Sequence, residues 1–364
     1  MRSLISHFPV HHEQPFVLVD VGCSGGIEAK WSELGSSGLF FGFDPLIEEI
    51  DRLQRDARDN ETFECAFVVG LGAAPPSPFA SGPFEMTSAI AVDRRLSAEG
   101  SAYVRSEFNG GREVCYTDYS VTLDNHFAGI QNVGSAPNFL KTDTDGFDYA
   151  VLEGARNILS SQDLIGVEVE CGFHGNPDDS RTSTFANIDK LMRKAGFTLY
   201  RLSPHNYSRA ALPSRFVYEI PAQTLEGTVQ WADAVYFRDP FVSQEFRERL
   251  DESAELRNKY MLALVVMGFR DVAAQVLTEF PDAFFPGVEV QVVLDSFIEG
   301  NQVGAGSYQH LIEIFENDFA AFFPSRAWTG EIASIPEVLG PMSLGRRLLH
   351  KLANLAGNPI KRLS

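Results

Sequence analysis

The stretch FVLVDVGCSGG, residues 16–26, decides the fold class of this chain. Residues 16–21 are apolar except for Asp20, and a short apolar run that ends at a glycine cluster is typical of a buried parallel strand. Gly22, Gly25 and Gly26 follow, and glycines let the backbone approach a ligand while the next helix presents its N-terminal N–H groups. The stretch therefore predicts a ligand-binding loop at the carboxyl end of the first strand.

Apolar runs and helical patterns alternate from this strand to residue 237. Further strands are predicted at 38–43, 63–69, 138–141, 164–169, 197–202 and 234–237. Helices are predicted at 27–34, 47–56, 149–159 and 188–195. Because strands and helices alternate at this pitch, we expect an α/β fold with a doubly wound, Rossmann-like sheet.

The pattern becomes helical from residue 241 onward. Leu262–Met267 and Val272–Leu277 flank Gly268, which predicts a helical hairpin that turns at the glycine. We therefore divide the chain into a domain at 1–240 and a smaller, mostly α-helical C-terminal region at 241–364. Three roles stay open for that region: contact with a second copy in a homodimer, docking to a partner protein, and recognition of an acceptor.

Composition excludes several classes of protein. The 364 residues carry 30 Lys and Arg against 49 Asp and Glu, a formal net charge of −19, whereas a protein that grips nucleic acid needs a basic surface. The apolar run Met261–Met267 is far shorter than an integral membrane span of about 20 residues. Four cysteines without a Cys-x-x-Cys pair argue against zinc and disulfide frameworks. We expect a cytoplasmic protein, with peripheral membrane contact through the basic C-terminal tail as the alternative.

Acidic residues flank the glycine loop. Asp20 precedes it, and Asp44 closes the second predicted strand 22 residues after Gly22, where a carboxylate can accept both hydroxyls of a ribose. A dinucleotide fingerprint would need glycine at positions 24 and 27, which are Ser24 and Ile27. An acid before the loop also suits a cationic amine or sulfonium better than a pyrophosphate. The site therefore predicts S-adenosylmethionine rather than a nicotinamide dinucleotide.

Downstream motifs resemble those of the FkbM-type methyltransferases. KTDTDGFD at 141–148, followed by VLEGA at 151–155, is similar to the family signature K-I-D-x-E-G-x-E and v-L-x-G-A. VTLD at 121–124 and IGVEVE at 165–170 resemble the segments before and after that signature. The resemblance covers residues 16–238, and it departs from the signature at Asp145 and Asp148, where the family usually has Glu.

The resemblance implies a class I, S-adenosylmethionine-dependent methyltransferase. Such an enzyme would act on a hydroxyl of a sugar or polyketide-like acceptor, a small molecule or a glycan, in bacterial glycan or secondary-metabolite biosynthesis. N-methylation stays an alternative. The expected cofactor-binding residues lie in the glycine loop and at the ends of neighbouring strands: Asp20, Gly22, Cys23, Ser24, Gly25, Asp44, Pro45 and Asp143.

Three residues are candidates for the catalytic site. Asp143 ends a predicted strand, and Asp145 lies two residues further on, where it alternatively caps the next helix. His174 follows the next strand and is the type of side chain that titrates near neutral pH, as a general base requires. Lys141 is expected to pair with a neighbouring acid. No metal is expected, and a divalent cation held by Asp143, Asp145 and Glu170 is the alternative.

Two other functions compete with this hypothesis. One is a nicotinamide-dependent oxidoreductase on a similar sheet, and Ser24 and Ile27 argue against it. The other is a non-catalytic scaffold with a vestigial methyltransferase domain, which the presence of Asp20, Gly22 and Asp44 disfavours.

Overall fold

The computed structural model describes residues 5, 7–10, 13–70, 116–130, 136–144, 146–207, 224–280 and 288–322. Backbone contacts divide the chain into two compact units, Met1–Val293 and Leu294–Ser364. This division lies about 50 residues beyond the predicted boundary at 240, because the helices that follow the sheet belong to the first unit. The separate roles proposed for 1–240 and 241–364 stay predictions.

The strands of the described residues, in chain order, are β1 (Phe16–Val21), β2 (Gly38–Asp44), β3 (Glu61–Cys65), β4 (Phe67–Val68), β5 (Ser120–Val121), β6 (Phe139–Thr142), β7 (Gly166–Gly172), β8 (Thr198–Tyr207) and β9 (Thr228–Phe237). The α-helices are α1 (Ala29–Ser32), α2 (Ile47–Asp56), α3 (Leu123–Gly129), α4 (Asp148–Glu153), α5 (Arg156–Ser160), α6 (Phe185–Lys194), α7 (Gln244–Glu252), α8 (Ala254–Val266), α9 (Arg270–Glu279), α10 (Val290–Phe297) and α11 (Tyr308–Asp318).

Seven strands form the main sheet in the order β3-β2-β1-β6-β7-β9-β8. The first five of these are parallel, and β9 runs antiparallel to both β7 and β8. The strand order reverses next to β1, so the sheet is doubly wound as predicted, with its switch point between β1 and β6. Ligands of such sheets bind beyond the carboxyl ends of the parallel strands.

Both faces of β1 are covered, since all six of its residues are buried. On one face Val17, Val19 and Val21 pack into the main hydrophobic cluster with residues of β6, β7 and β9. On the other face Trp31 of α1 stacks on Phe16, with ring centroids 5.5 Å apart, and contacts Phe139 at 4.7 Å. Two-sided burial explains why this strand is continuously apolar rather than alternating.

Three predicted elements are shorter or more divided than the sequence suggests. The strand expected at 63–69 is divided between β3 in the main sheet and β4, which pairs with β5 in a separate two-stranded sheet. The helix expected at 27–34 is reduced to α1 and a 3₁₀ turn at Gly35–Ser37. The helix expected at 149–159 is interrupted between α4 and α5, at Gly154, where the backbone passes so close to Val69 that an added Cβ would lie 2.2 Å from the Val69 carbonyl oxygen.

The helical hairpin predicted around Gly268 is confirmed. Helix α8 ends at Val266, Gly268 adopts a φ of +85°, and α9 begins at Arg270. The positive φ is the left-handed conformation that favours glycine after a helix. Across the ranges given above, no helix combines the length and the apolar character that a membrane crossing requires.

Candidate functional site

The glycine loop after β1 is closed against two neighbouring strands. The backbone N–H groups of Gly22 and Cys23 both donate to the carbonyl of Phe43, at 2.8 and 3.2 Å. Gly22 has a φ of +83°, and an added Cβ would lie 1.8 Å from the carbonyl oxygen of Asp143. Only glycine fits between β2 and the residue that follows β6, so the loop, Asp44 and Asp143 meet at one point of the sheet edge.

A carboxylate fills the second half of the loop. Gly26 N–H donates to the Cys23 carbonyl at 2.8 Å, and Gly25 N–H donates to Oε1 of Glu49 at 2.8 Å. Arg52 also binds Glu49, at 2.6 Å, and its hydrogen bond lowers the pKa of that carboxyl. An N–H group that holds a carboxylate does not also cradle a pyrophosphate, which weakens the nicotinamide alternative. No local sequence pattern pointed to Glu49, because its contact with Gly25 depends on how α2 packs.

The side chain of Cys23 faces away from the loop. It is buried and packs with Ile50, Leu53 and Phe63. Cys171 is buried as well, in the main cluster, so both thiols fill core space. Any contact of Cys23 with a ligand would therefore involve its backbone.

Asp44 ends β2 and is buried. Its Oδ1 accepts a hydrogen bond from the N–H of Leu46 at 2.8 Å, which fixes the carboxylate at the carboxyl end of the strand. Pro45 lies between Asp44 and Leu46, and its carbonyl accepts a hydrogen bond from the N–H of Thr117 at 2.9 Å. The acid is thus held rigidly where the sequence placed it, one strand away from the glycine loop.

Asp20 is paired with Lys141, for which the sequence predicts an acidic partner without showing which acid it is. Asp20, Lys141 and Glu168 lie in register on β1, β6 and β7, and Lys141 Nζ is 3.4 Å from Asp20 Oδ1. Burial raises the pKa of Asp20 to about 6, although Lys141 opposes this shift. Asp20 is 1% exposed, and Lys141 lies between it and the half-exposed Asp143. The predicted role of Asp20 in cofactor binding stays a prediction.

Lys141 is surrounded by acids. Besides Asp20, it lies 3.6 Å from Glu28 and 3.4 Å from Asp143. Burial alone would lower the pKa of Lys141, but the nearby carboxylates outweigh burial and raise it. The expectation that Lys141 pairs with a neighbouring acid is confirmed. Its ammonium group is held between the carboxylates of Asp20, Glu28 and Asp143.

Asp143 is the most exposed of the acids that contact Lys141. Its N–H donates to the carbonyl of Val21 at 2.9 Å, which continues the pairing of β6 with β1, and its side chain is 50% exposed. Asp145, the second catalytic candidate in this segment, lies outside the described residues.

Asp148 holds the loop between β6 and α4. Its side chain is fully buried, and its two carboxylate oxygens accept from the N–H groups of Thr144, at 3.2 Å, and Gly146, at 3.4 Å. Burial raises its pKa to about 6. Ser183 reinforces the loop by donating to the Gly146 carbonyl at 2.6 Å. The sequence showed Asp148 as part of a motif but not as the residue that shapes this loop.

His174 follows β7 at the same edge. Its Nε2 lies 2.9 Å from the carbonyl oxygen of Val229 on β9. A carbonyl only accepts hydrogen bonds, so Nε2 carries the proton, and in the neutral ring Nδ1 is the basic atom. The sequence predicted the histidine, but not the contact that fixes its tautomer.

Within the described part of the chain, no group of three or more His, Cys, Asp and Glu side chains is placed to hold a metal ion. The alternative cation site includes Asp145, so it falls partly outside that region.

The doubly wound, mostly parallel sheet of seven strands, with a glycine loop after its first strand and an acid at the end of its second, has the Rossmann-like architecture of the class I methyltransferases. With the family match given below, this makes the protein an S-adenosylmethionine-dependent methyltransferase. The cofactor is S-adenosylmethionine. Residues 28–199 match the family model described as the Methyltransferase FkbM domain. The predicted resemblance is confirmed, although the matched segment begins just after the glycine loop.

The solved structures that match this chain include several methyltransferases. A TehB-like SAM-dependent methyltransferase from Corynebacterium glutamicum is 10% identical, with 65% of this chain and 86% of that chain covered and a TM-score of 0.27. Precorrin-6y C5,15-methyltransferase from Geobacter metallireducens is 9% identical, with 65% and 87% covered and a TM-score of 0.30. A putative S-adenosylmethionine-dependent methyltransferase from Listeria monocytogenes is 8% identical, with 65% and 95% covered and a TM-score of 0.30. No curated protein matches the chain.

Proposed function

We propose that this protein transfers a methyl group from S-adenosylmethionine to a hydroxyl of a sugar or similar acceptor, in glycan or secondary-metabolite biosynthesis. The observation that carries the proposal is the junction at Gly22, where the glycine loop, the end of β2 and Asp143 are in backbone contact. At this junction the glycine loop lies next to Asp44, an acid placed to bind the ribose hydroxyls, and to Asp143, whose side chain is half exposed.

The cofactor would lie across the carboxyl ends of β1, β2 and β6. Asp44 would accept the ribose hydroxyls, next to Pro45, and the backbone from Gly22 to Gly25 would border the rest of the molecule. Asp143, half exposed beside the loop, would face the cationic part of the cofactor. Asp20 would hold the Lys141 ammonium group in place through their ion pair.

When bound, S-adenosylmethionine supplies an electrophilic methyl group. The protein has to hold the acceptor oxygen in line with that methyl group and to remove the hydroxyl proton as the new C–O bond forms. The products would be S-adenosylhomocysteine, the methyl ether and a proton on the base.

His174 is our choice for that base. Its Nδ1 is the atom left to accept a proton, because Val229 fixes the other nitrogen as a donor. Asp143 would then position the reacting groups, and Asp145 stays a catalytic candidate from the sequence alone.

An activity assay tests this proposal. Purified protein is incubated with S-adenosylmethionine and neutral sugar glycosides, and S-adenosylhomocysteine and methylated sugar are quantified by mass spectrometry. We expect His174→Ala to lower kcat by about 10²- to 10⁴-fold, because a general base contributes that much, while its affinity for S-adenosylhomocysteine stays within twofold.

His310→Ala, which removes an exposed histidine of α11, serves as the matched control and should leave kcat unchanged. Methyl ether formation at the wild-type rate by His174→Ala would rule out His174 as the base. Product methylated only at nitrogen, with amine acceptors, would contradict O-methylation.

A further inference from the structure

An aromatic and acidic cluster lies at the same edge of the sheet as the proposed active site. Because β9 runs antiparallel to β7, its early residues lie beside the last residues of β7. Trp231 is in register with Gly172, and Asp233 is in register with Glu170. His205 of β8 is in register with Trp231 from the other side.

The three side chains of the cluster, Trp231, His205 and Asp233, are held together tightly. The His205 imidazole stacks on the Trp231 indole, with ring centroids 3.7 Å apart and 15° between the planes. His205 Nε2 also lies 2.9 Å from Asp233 Oδ2. The aromatic surface is therefore fixed in orientation before any ligand arrives, and pre-organisation of this kind reduces the entropy cost of binding.

Asp233 keeps the capacity to bind hydroxyl groups. Its side chain is 39% exposed, against 14% for His205. An ionised carboxylate offers about four positions for hydrogen bonds, and His205 occupies one of them. A partly exposed indole beside such an acid matches a pyranose ring, which has an apolar C–H face and a rim of hydroxyl donors.

The charge of this edge selects among acceptors. Thr142 is in register with Val169, so Asp143, one position further, comes opposite Glu170, and Glu170 is in register with Asp233. Directly opposed residues project from the same face of a sheet, and neighbouring strands are about 4.8 Å apart. Three carboxylates thus line one face in a row, with Lys141 beside Asp143 and His205 beside Asp233. Because Lys141 is shared with Asp20 and Glu28, the row keeps an excess of negative charge, which opposes an anionic group and favours neutral hydroxyl donors.

We propose that Trp231, His205 and Asp233 form the acceptor subsite and bind a neutral saccharide ring. The inference rests on the proposed function, because it places the acceptor next to the strand ends where methyl transfer would occur. The three residues bind and orient the acceptor and take no part in the bond-making step. A sugar phosphate or a uronic acid would be rejected by the acidic row.

The test measures saccharide binding and cofactor binding separately on the full-length protein. Saturation-transfer difference NMR follows methyl α-glucoside and methyl α-mannoside, with glucose 1-phosphate as the anionic counterpart, while calorimetry measures S-adenosylhomocysteine. We expect the wild type to bind a neutral glycoside but not the phosphate. Trp231→Ala should weaken glycoside binding about tenfold, Trp231→Phe should retain most of it, and neither should change the affinity for S-adenosylhomocysteine.

Asp233→Asn is the second variant, in case Trp231→Ala does not fold, and His310→Ala is the neutral control. Wild-type glycoside binding in both Trp231→Ala and Asp233→Asn would overturn the subsite. So would a wild-type protein that binds S-adenosylhomocysteine but no neutral glycoside, or that prefers the phosphate. Failure of S-adenosylhomocysteine to bind would instead refute the proposed function, and glycoside binding that still needs Trp231 would then support the subsite on its own.

Discussion

Gly22 combines two separate demands on one residue, a positive φ and a close approach to Asp143. Gly268 has nearly the same φ, +85° against +83°, but an added Cβ there meets nothing within 4 Å. Gly268→Ala should therefore cost only the left-handed conformation, about 1–2 kcal/mol. Gly22→Ala should cost clearly more and also abolish binding of S-adenosylhomocysteine, because the loop must move away from β6.

Urea unfolding of the two glycine variants, with calorimetry of each, measures this difference. Equal losses of stability, or unchanged S-adenosylhomocysteine binding in Gly22→Ala, would show that the loop is not closed against Asp143.

Asp20 should make stability depend on pH in an unusual direction. Its pKa rises from 3.8 to about 6 in the folded protein, so the folded state binds the proton more tightly than the unfolded chain. The contribution of Asp20 to stability is therefore present below about pH 4 and is lost as the pH rises to about 6. Two pKa units correspond to about 3 kcal/mol.

The variant Asp20→Asn has no titrating group at this position. The difference in stability between wild type and variant therefore reports the titration of Asp20. Urea unfolding of both proteins at pH 4.5 and 7.5 should show that the wild type loses stability relative to the variant as the pH rises. A difference that stays constant between the two pH values would contradict the raised pKa.

At the scale of elements, Arg238 ties the end of β9 to the helices around it. Its guanidinium donates to the carbonyls of Leu159, Ser161, Leu164 and Ala195, at 2.7 to 3.1 Å. Burial lowers its pKa to about 10, so the group stays charged at neutral pH. Arg238→Met should destabilise the fold by about 3 kcal/mol or more, because several buried carbonyls lose their donor.

The matched control is Arg193→Met on α6, where the arginine is 69% exposed and pairs only with Asp189 of the same helix among the contacts described. Exposed pairs of this kind contribute less than about 1 kcal/mol. Urea unfolding should separate the two variants, and a loss at Arg238 no larger than at Arg193 would show that the carbonyl contacts are not stabilising.

Local sequence signals were sufficient for most elements of the sheet. The helix at Ile47–Asp56 has the predicted bounds, and β1 and β2 begin where their apolar runs begin. Where the prediction differed, contacts between distant segments decided the outcome. A helix is interrupted at Gly154, where Val69 passes close to the backbone, a contact that no local pattern encodes.

The same limit applies to the site. Glycines, acids and the motif at 141–148 were visible in the sequence, because each follows a recognisable strand. Their partners were not, since Glu49, Val229 and the Asp233–His205 pair act through packing between elements. Sequence reasoning thus located the edge of the sheet but not the electrostatic pairing of Asp20 with Lys141.

At the scale of the whole molecule, the acidic charge lies outside the last 24 residues. The last 24 residues carry five cations and no acid, so the other 340 carry −19 − 5 = −24. Those last residues lie outside the described region, and peripheral membrane contact by them stays a prediction. So does the role of residues 241–364 in dimerisation, docking or acceptor recognition.

Calorimetric titration with S-adenosylhomocysteine tests the central claim most directly, namely that the cofactor binds across the ends of β1, β2 and β6. We expect saturable binding by the wild type and by Asp56→Ala, an exposed acid at the end of α2. Asp44→Ala should bind at least about tenfold more weakly, because a buried carboxylate loses its hydrogen bonds to the ribose hydroxyls. Equal affinity in Asp44→Ala, or no binding by the folded wild type, would contradict the account.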